Sequence, residues 1–218
     1  MTSPGELTGA EAPHSVAPFR THMLGLLAPT DPSWVSAVEG DLDRLLSDHA
    51  HCELKAAQSA LSLVARFASE APDIVAPLTA LAHEETEHFD EVYRRVAARG
   101  AKLALPGADD YVVALRKAAR ADHDGSGAPA MLDRMLVSAL IEARSCERFK
   151  LLAEHLNDAS LRAFYRDLMA SEARHFRLFT RLAEDHFGEA DARARLEQLA
   201  RREAEVASRL PLGATVHG

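Results

Sequence analysis

One short pattern occurs twice in this chain: Glu85-x-x-His88-Phe89 and Glu172-x-x-His175-Phe176. Each copy is followed by an arginine at the same offset, Arg94 and Arg181. Each is preceded by a lone glutamate on another apolar stretch: Glu53 stands 32 residues before Glu85, and Glu142 stands 30 residues before Glu172. Residues at i and i+3 share a helix face, so each Glu–His pair points one way. Four Glu and two His in this order are what a carboxylate-bridged two-metal site inside a four-helix bundle requires. A single E-x-x-H is cheap. With 18 Glu and 11 His in 218 residues, chance supplies about one, and a third match, Glu11 to His14, lies in a proline-containing tail. The weight rests on two copies in long helical stretches, each with its upstream glutamate. The competing reading is two surface Glu–His pairs, each supporting its own helix. Phe89 and Phe176, directly after the histidines, favour an inward face.

Glutamate and neutral histidine suit iron or manganese. The two cysteines, Cys52 and Cys146, form no C-x-x-C pair, which argues against a structural zinc or iron–sulfur site. Buried glutamates crowded together without a cation would repel one another and take up protons. Such a cluster makes physical sense in a bundle core mainly when cations are present. His49 and His51, just before Glu53, read as packing or surface residues; Tyr165, seven residues before Glu172 and on its face, reads equally as a packed core tyrosine or as a hydrogen-bonding support of the site.

The rest of the chain fits an all-α fold. Ala, Leu, Arg and Glu dominate, and strong strand formers rarely cluster. Periodicity predicts one long helix from about Asp31 to Glu70, bent near Gly40, and a second from about Asp73–Pro77 to Arg99, with Gly100 past its end. A short amphipathic helix follows at about 108–120, then the turn-rich linker DHDGSGAP. Further helices are predicted from about Pro129 to Leu156, from Asn157-Asp158 to Phe187, and from Glu189 to Ser208. Two long hairpins joined by one long crossover is the ferritin-like four-helix bundle, here with flanking helices. The two copies of the motif are 87 residues apart and the two lone glutamates 89, which suggests a duplicated hairpin. Residues 1–30 read as a flexible tail and 31–218 as a single helical domain. The N-terminus has neither a basic nor an apolar signal region, and no apolar run approaches the roughly 20 residues a membrane span needs. The expectation is a cytoplasmic monomer.

The net charge is −8, which does not by itself suit a general nucleic-acid binder. The stretch from Glu142 to Arg181 runs against that trend, with eight basic residues against six acidic ones. If Glu142 and Glu172 point inward, its outer surface is basic. The plainer reading is a solvated helical face laced with ion pairs.

Longer strings narrow the field. IEARSCERF (141–149), SEARHF (171–176), HCELKAA (51–57) and EETEHF (84–89) together resemble the tRNA isopentenyladenosine hydroxylase family, MiaE, over roughly Trp34 to Ser208. The His217-Gly218 ending is also similar. The resemblance implies a ferritin-like bundle with a non-haem centre of two iron ions. It implies O2 as co-substrate and two electrons from an unidentified donor, used to hydroxylate the prenyl group of 2-methylthio-N6-isopentenyladenosine beside the anticodon of tRNA. The implied ligands, which are also the catalytic residues, are Glu53, Glu85, His88, Glu142, Glu172 and His175. Glu85 and Glu172 would bridge. Glu53 and His88 would complete one iron, and Glu142 and His175 the other. The arginine-rich faces of the third and fourth long helices, with Arg193, Arg195, Arg201 and Arg202, would then meet tRNA. The alternative is a ferritin-like iron-oxidising or iron-handling protein with no tRNA substrate.

Overall fold

The computed structural model describes residues 23–121 and 129–218. Residues 1–22, which hold the Glu11–His14 pair and most of the expected tail, and residues 122–128 of the linker lie outside them. The described residues form seven α-helices: α1 (Trp34–Glu39), α2 (Leu42–Phe67), α3 (Val75–Ala98), α4 (Asp110–Ala121), α5 (Ala130–His155), α6 (Ala159–Phe187) and α7 (Glu189–Ala207). No helix among them is long and apolar enough to cross a membrane.

The helix ends follow local chemistry. Asp41 accepts a bond from the Arg44 amide at 3.1 Å, and Asp158 accepts from Ser160 and Leu161 at 2.8 and 3.0 Å; both cap orphan amides at a helix start. The single bent helix expected from Asp31 to Glu70 is therefore two, α1 and α2, because Asp41 leaves helical geometry to act as a cap. Gly100 and Gly188 stop α3 and α6 with φ of 74° and 85°, a conformation glycine adopts without strain.

The helices α2 and α3 form one antiparallel hairpin and α5 and α6 the other, joined by a crossover that carries α4. This is the ferritin-like arrangement. Its core is split along the bundle axis. One apolar half gathers Leu63, Leu78, Leu81, Leu136 and Phe179. The other gathers Leu45, Leu46, Val92, Phe149 and Leu168. Each side chain of this size, fully buried, contributes roughly 1.5–3 kcal/mol. All four long helices pass from one half to the other, and Glu53, Glu85, Glu142 and Glu172 fall at the crossing point of each. The sequence thus builds a polar layer between two apolar ones.

Helix α5 is enclosed on nearly every side, since α2, α4, α6 and α7 all touch it. The segments at both ends of the described chain also fold back onto the bundle. Leu26 and Thr30 are buried, so the part of the expected tail from Met23 onward is packed. Beyond α7, Trp34 Nε1 donates to Gly213 O (2.9 Å), Val216 N donates to Asp48 (2.8 Å), and His217 is buried against Asp109 (2.7 Å).

Candidate metal centre

The polar layer brings together all six residues singled out by the repeated pattern. Glu53, Glu85, His88 and Glu172 each offer one donor atom within a 4.8 Å cluster, and so do Glu85, Glu142, Glu172 and His175. Glu85 and Glu172 belong to both groups, the position expected of bridging carboxylates. Five of the six are buried, and His88 is partly so. His88 Nδ1 lies 3.2 Å from Glu85 and 3.7 Å from Glu53, while His175 Nδ1 lies 2.9 Å from Glu85 and 3.9 Å from Glu142. The two rings are 5.9 Å apart, centroid to centroid.

The outward nitrogens of both histidines turn to a shared support. Glu84 Oε2 lies 3.2 Å from His175 Nε2, and Glu84 Oε1 lies 4.0 Å from His88 Nε2. Ser171 donates to Glu84 at 2.6 Å, and Arg174 donates to both. Such partners fix ring orientation and tautomer in metal sites. Glu84 and Ser171 are the same position in the two copies of the motif, one residue before Glu85 and Glu172. Glu84 is thus ion-paired with Arg174 and His175. A second support gives His49 a role beyond packing: buried His49 Nε2 lies 2.6 Å from Glu53 Oε1, and its Nδ1 meets Tyr165 Oη at 3.4 Å. Phe149, Phe164 and Tyr165 pack around this imidazole. Its signal in the sequence is the i, i+4 spacing from Glu53, which puts both on one face.

The charges explain what the cluster wants. Burial, then the charge of Glu53, raises the Glu85 carboxyl to about 7, against the bonds from His175 and His88. Burial and the neighbouring carboxylates, Glu142 first, push Glu172 well above the ordinary carboxyl range. Glu53 goes the other way: burial opposes ionisation, but the bond and charge of His49, then His88, hold it well below. Glu84 is lowered to about 2, where Ser171 and His175 outweigh burial. Burial disfavours the imidazolium forms, yet Glu53 and Glu85 raise His88 to about 10, and Glu85, Glu142 and Glu84 raise His175 to about 9. Protons thus compensate four crowded carboxylates. Glu85 Oε1 and His175 Nδ1 nonetheless face each other at 2.9 Å without hydrogen-bond geometry, and Glu172 Oε1 is buried without a hydrogen-bond partner. Orphaned buried polar atoms are costly, and an oxygen–nitrogen donor set of this kind fits a transition metal.

A cavity of about 620 Å³ between α2, α4 and α5 reaches this layer at Glu142. Phe179, Val137 and Ile141 form apolar parts of its wall. Phe149 and Phe164 belong to the core around His49. Cys52, Asp109 and His217 form a third compact group on the cavity side. Both His217 nitrogens are already engaged, by Asp109 (2.7 Å) and Ser145 (3.1 Å), so this group ties the chain end to the bundle. Cys146 is buried and donates to Met169 O.

The model of the tRNA-(MS2IO6A)-hydroxylase (MiaE) family matches residues 18–217. The chain belongs to the MiaE family. It is 40% identical over 173 residues to a protein of Pseudomonas putida named tRNA 2-(methylsulfanyl)-N(6)-isopentenyladenosine(37) hydroxylase, covering 79% of this chain and 81% of that one. A protein of the same name from Salmonella typhimurium is 30% identical, with 83% of each chain covered. Among solved structures, the chain is similar to "Protein 43 with aldehyde deformylating oxygenase activity from Synechococcus", with a TM-score of 0.79, 38% identity, and 88% and 95% of the two chains covered.

Of the arginines expected to form an outer basic face in this MiaE-family chain, three are spent inside it and most of the others are tied up in surface ion pairs. Arg144 and Arg148 are buried, because α5 is enclosed and its outer side meets α7 and the two end segments instead of water. Arg144 bonds Glu147 (2.5 Å) and Glu203 (2.7 Å), and Arg148 donates to Val216 O (2.9 Å). Arg195 is buried in a two-point bond to Asp133 at 2.7 and 2.8 Å. Arg162 bonds the carbonyls of Leu156 and Asn157, while Arg174, Arg181 and Arg193 pair with carboxylates. Arg202 pairs with Glu205 and Arg201 approaches Glu197. Arg166 and Arg177 are exposed, as are the paired Arg174, Arg181, Arg193, Arg201 and Arg202.

Proposed function

We propose that this chain is a two-iron tRNA hydroxylase that adds one oxygen to the isopentenyl group of 2-methylthio-N6-isopentenyladenosine, using O2 and two electrons from a separate donor. It acts in the cytoplasm as a monomer, with residues 31–218 as one functional domain. The observation that carries this reading is the sharing of Glu85 and Glu172 between two donor groups in a MiaE-family chain. Glu53 and His88 complete one metal position, and Glu142 and His175 the other. Bound there, the irons would supply the O2 activation that no side-chain acid or base offers toward an unactivated C–H bond.

The protein's own part is positional. His49 holds one oxygen of Glu53 and leaves the other facing the centre. Glu84 and Ser171, anchored by Arg174, hold the outward nitrogen of His175 so that its Nδ1 faces the carboxylates. The apolar wall at Phe179 and Ile141 suits a prenyl chain and keeps bulk water from the reacting carbon.

The test uses reduced, iron-loaded protein with O2 and prenylated tRNA, followed by digestion and mass measurement of the nucleosides. The expected product carries one added oxygen on the isopentenyl adenosine. An unmodified nucleoside, despite two bound irons per chain, would sink the hydroxylase and favour the iron-handling alternative. His88→Ala and His175→Ala should abolish turnover while the helix content by circular dichroism persists.

A further inference from the structure

Four arginines from three helices line the cavity: Arg66 on α2, Arg116 and Arg120 on α4, and Arg134 on α5. Arg66, Arg116 and Arg120 are exposed and Arg134 is half-buried. Among the described residues, none has a carboxylate within ion-pair distance. Their contacts are neutral. Arg116 donates to Ser59 Oγ at 3.4 Å and Arg134 to Ser62 Oγ at 3.0 Å, and Arg66 and Arg134 lie over the Phe67 ring at 5.5 and 5.8 Å. The acids of the same wall are already matched, Asp133 by Arg195 and Asp109 by His217. Burial lowers both Arg116 and Arg134 below the ordinary arginine value; the charge of Asp109 opposes this at Arg116, while neighbouring guanidiniums add to it at both. In a chain of net charge −8, this is a concentrated positive patch without direct ion pairs. It faces the opening that leads to Glu142. A second depression, over α3, reaches His88 instead and carries Glu84 and Glu87, so it repels anions.

We propose that this arginine cluster grips RNA phosphates, so that the strand bearing the modified adenosine crosses the cavity and the base enters toward Glu142. The inference rests on the tRNA hydroxylase reading above and adds the surface that meets the RNA. A guanidinium with no carboxylate to release presents its full donor fork to phosphate. Bases in RNA are read mainly from single-stranded loops, where they can be splayed out, and a cavity of about 620 Å³ has room for one such base with its side chain. The patch lies on α2, α4 and α5, away from the α5–α7 arginines that the sequence alone points to.

The experiment measures binding of the metal-loaded full chain to a labelled RNA hairpin with the prenylated adenosine in its loop, by fluorescence anisotropy across a salt series. The same hairpin is assayed for oxygen addition. The variant carrying Arg66→Gln, Arg116→Gln, Arg120→Gln and Arg134→Gln should bind at least about tenfold more weakly at low salt. The slope of log affinity against log salt should fall by about 3. A triple variant that spares half-buried Arg134 should lose about three quarters of that slope change, with metal content and melting temperature kept. The pair Arg166→Gln and Arg177→Gln should leave affinity and slope as they were. If the wild type hydroxylates the hairpin but the triple and quadruple variants keep its slope, the surface assignment is wrong and the tRNA reading survives. Loss of binding in the Arg166/Arg177 variant instead would move the surface to α6. A wild type that neither binds nor oxidises the hairpin overturns both.

Discussion

Two buried clusters of charge sit in this bundle, and they are built on opposite plans. The first joins Arg144, Glu147, Glu203, Tyr111 and Thr30, with Arg148 beside it. Two arginines face two glutamates, and nearly every donor finds an acceptor, though Glu203 Oε2 is buried without a partner. Thr30 alone gives Glu147 two bonds, at 2.7 and 2.8 Å. The second cluster has four glutamates and two histidines, with donor atoms on Glu85, Glu172 and His175 left without a hydrogen-bond partner. Both are buried, and both hold helices together. The difference is charge balance. A cluster that balances its own charge can act as a permanent brace, whereas one with excess negative charge is organised around a cation.

The sharpest way to break the comparison is to remove one partner from each cluster. Arg144→Ala strands Glu147 and Glu203 without their cation, and breaking a buried pair in this way costs about 3–5 kcal/mol. Thermal unfolding should show a large drop in melting temperature, while the folded fraction still binds metal with unchanged stoichiometry. Lost metal in that folded fraction would mean the brace also shapes the centre. His49→Phe keeps the aromatic packing around Phe149 and Phe164 and removes the support of Glu53. Metal affinity should fall about 10–100-fold, measured by titrating the metal-free protein. Unchanged affinity would reduce His49 to core filling.

A smaller effect has the opposite sign in the two clusters. In the metal-free protein, Glu172→Gln removes a charge that burial and its neighbours disfavour, and should raise stability by on the order of 1 kcal/mol at alkaline pH. Burial raises the Glu203 carboxyl too, against the charge of Arg144, but Glu203→Gln breaks a buried ion pair and leaves Arg144 short of a carboxylate, so it should lower stability. Chemical denaturation of both variants after chelation would show whether the signs differ; a shared sign would undo the distinction. The smallest effect belongs to the docked chain end. The charge of His217, against burial, holds Asp109 well below its ordinary value. A depressed carboxyl contributes stability that is present above its unfolded value and lost as pH falls through the folded one. Asp109→Asn should therefore flatten the stability loss below about pH 4. The emission of Trp34, the only tryptophan and bonded to Gly213, reports on that segment. A wild-type acid slope in the variant would remove Asp109 from the account.

The helices and the six inward residues were legible in the sequence because both depend on local rules. Caps at Asp158, stops at Gly100 and Gly188, and i, i+3 spacing within each motif need no partner from elsewhere in the chain. The wrong expectations concern residues whose roles depend on what lies across a gap. Arg144, Arg148 and Arg195 look like surface charges in a linear reading, and they became internal partners because α7 and the chain ends close over α5. Glu84 and Ser171 occupy equivalent positions in the two copies, but their bond exists only because α3 and α6 face each other at that level. His49 could be placed on the face of Glu53, yet not chosen over His51, which instead bonds the carbonyl of Ala104 at 2.7 Å.

What the sequence determined by itself is the polar layer: which four helices carry it and which side chains fill it. Periodicity puts those groups on the inward faces, and four antiparallel helices leave them little choice but to meet. Only the tertiary structure decided which surplus charges are neutralised and which remain. That outcome depends on the rotation and contact of helices far apart in the chain. It turns the conspicuous arginines of α5 into internal braces and leaves the inconspicuous ones of α2 and α4 open beside the cavity.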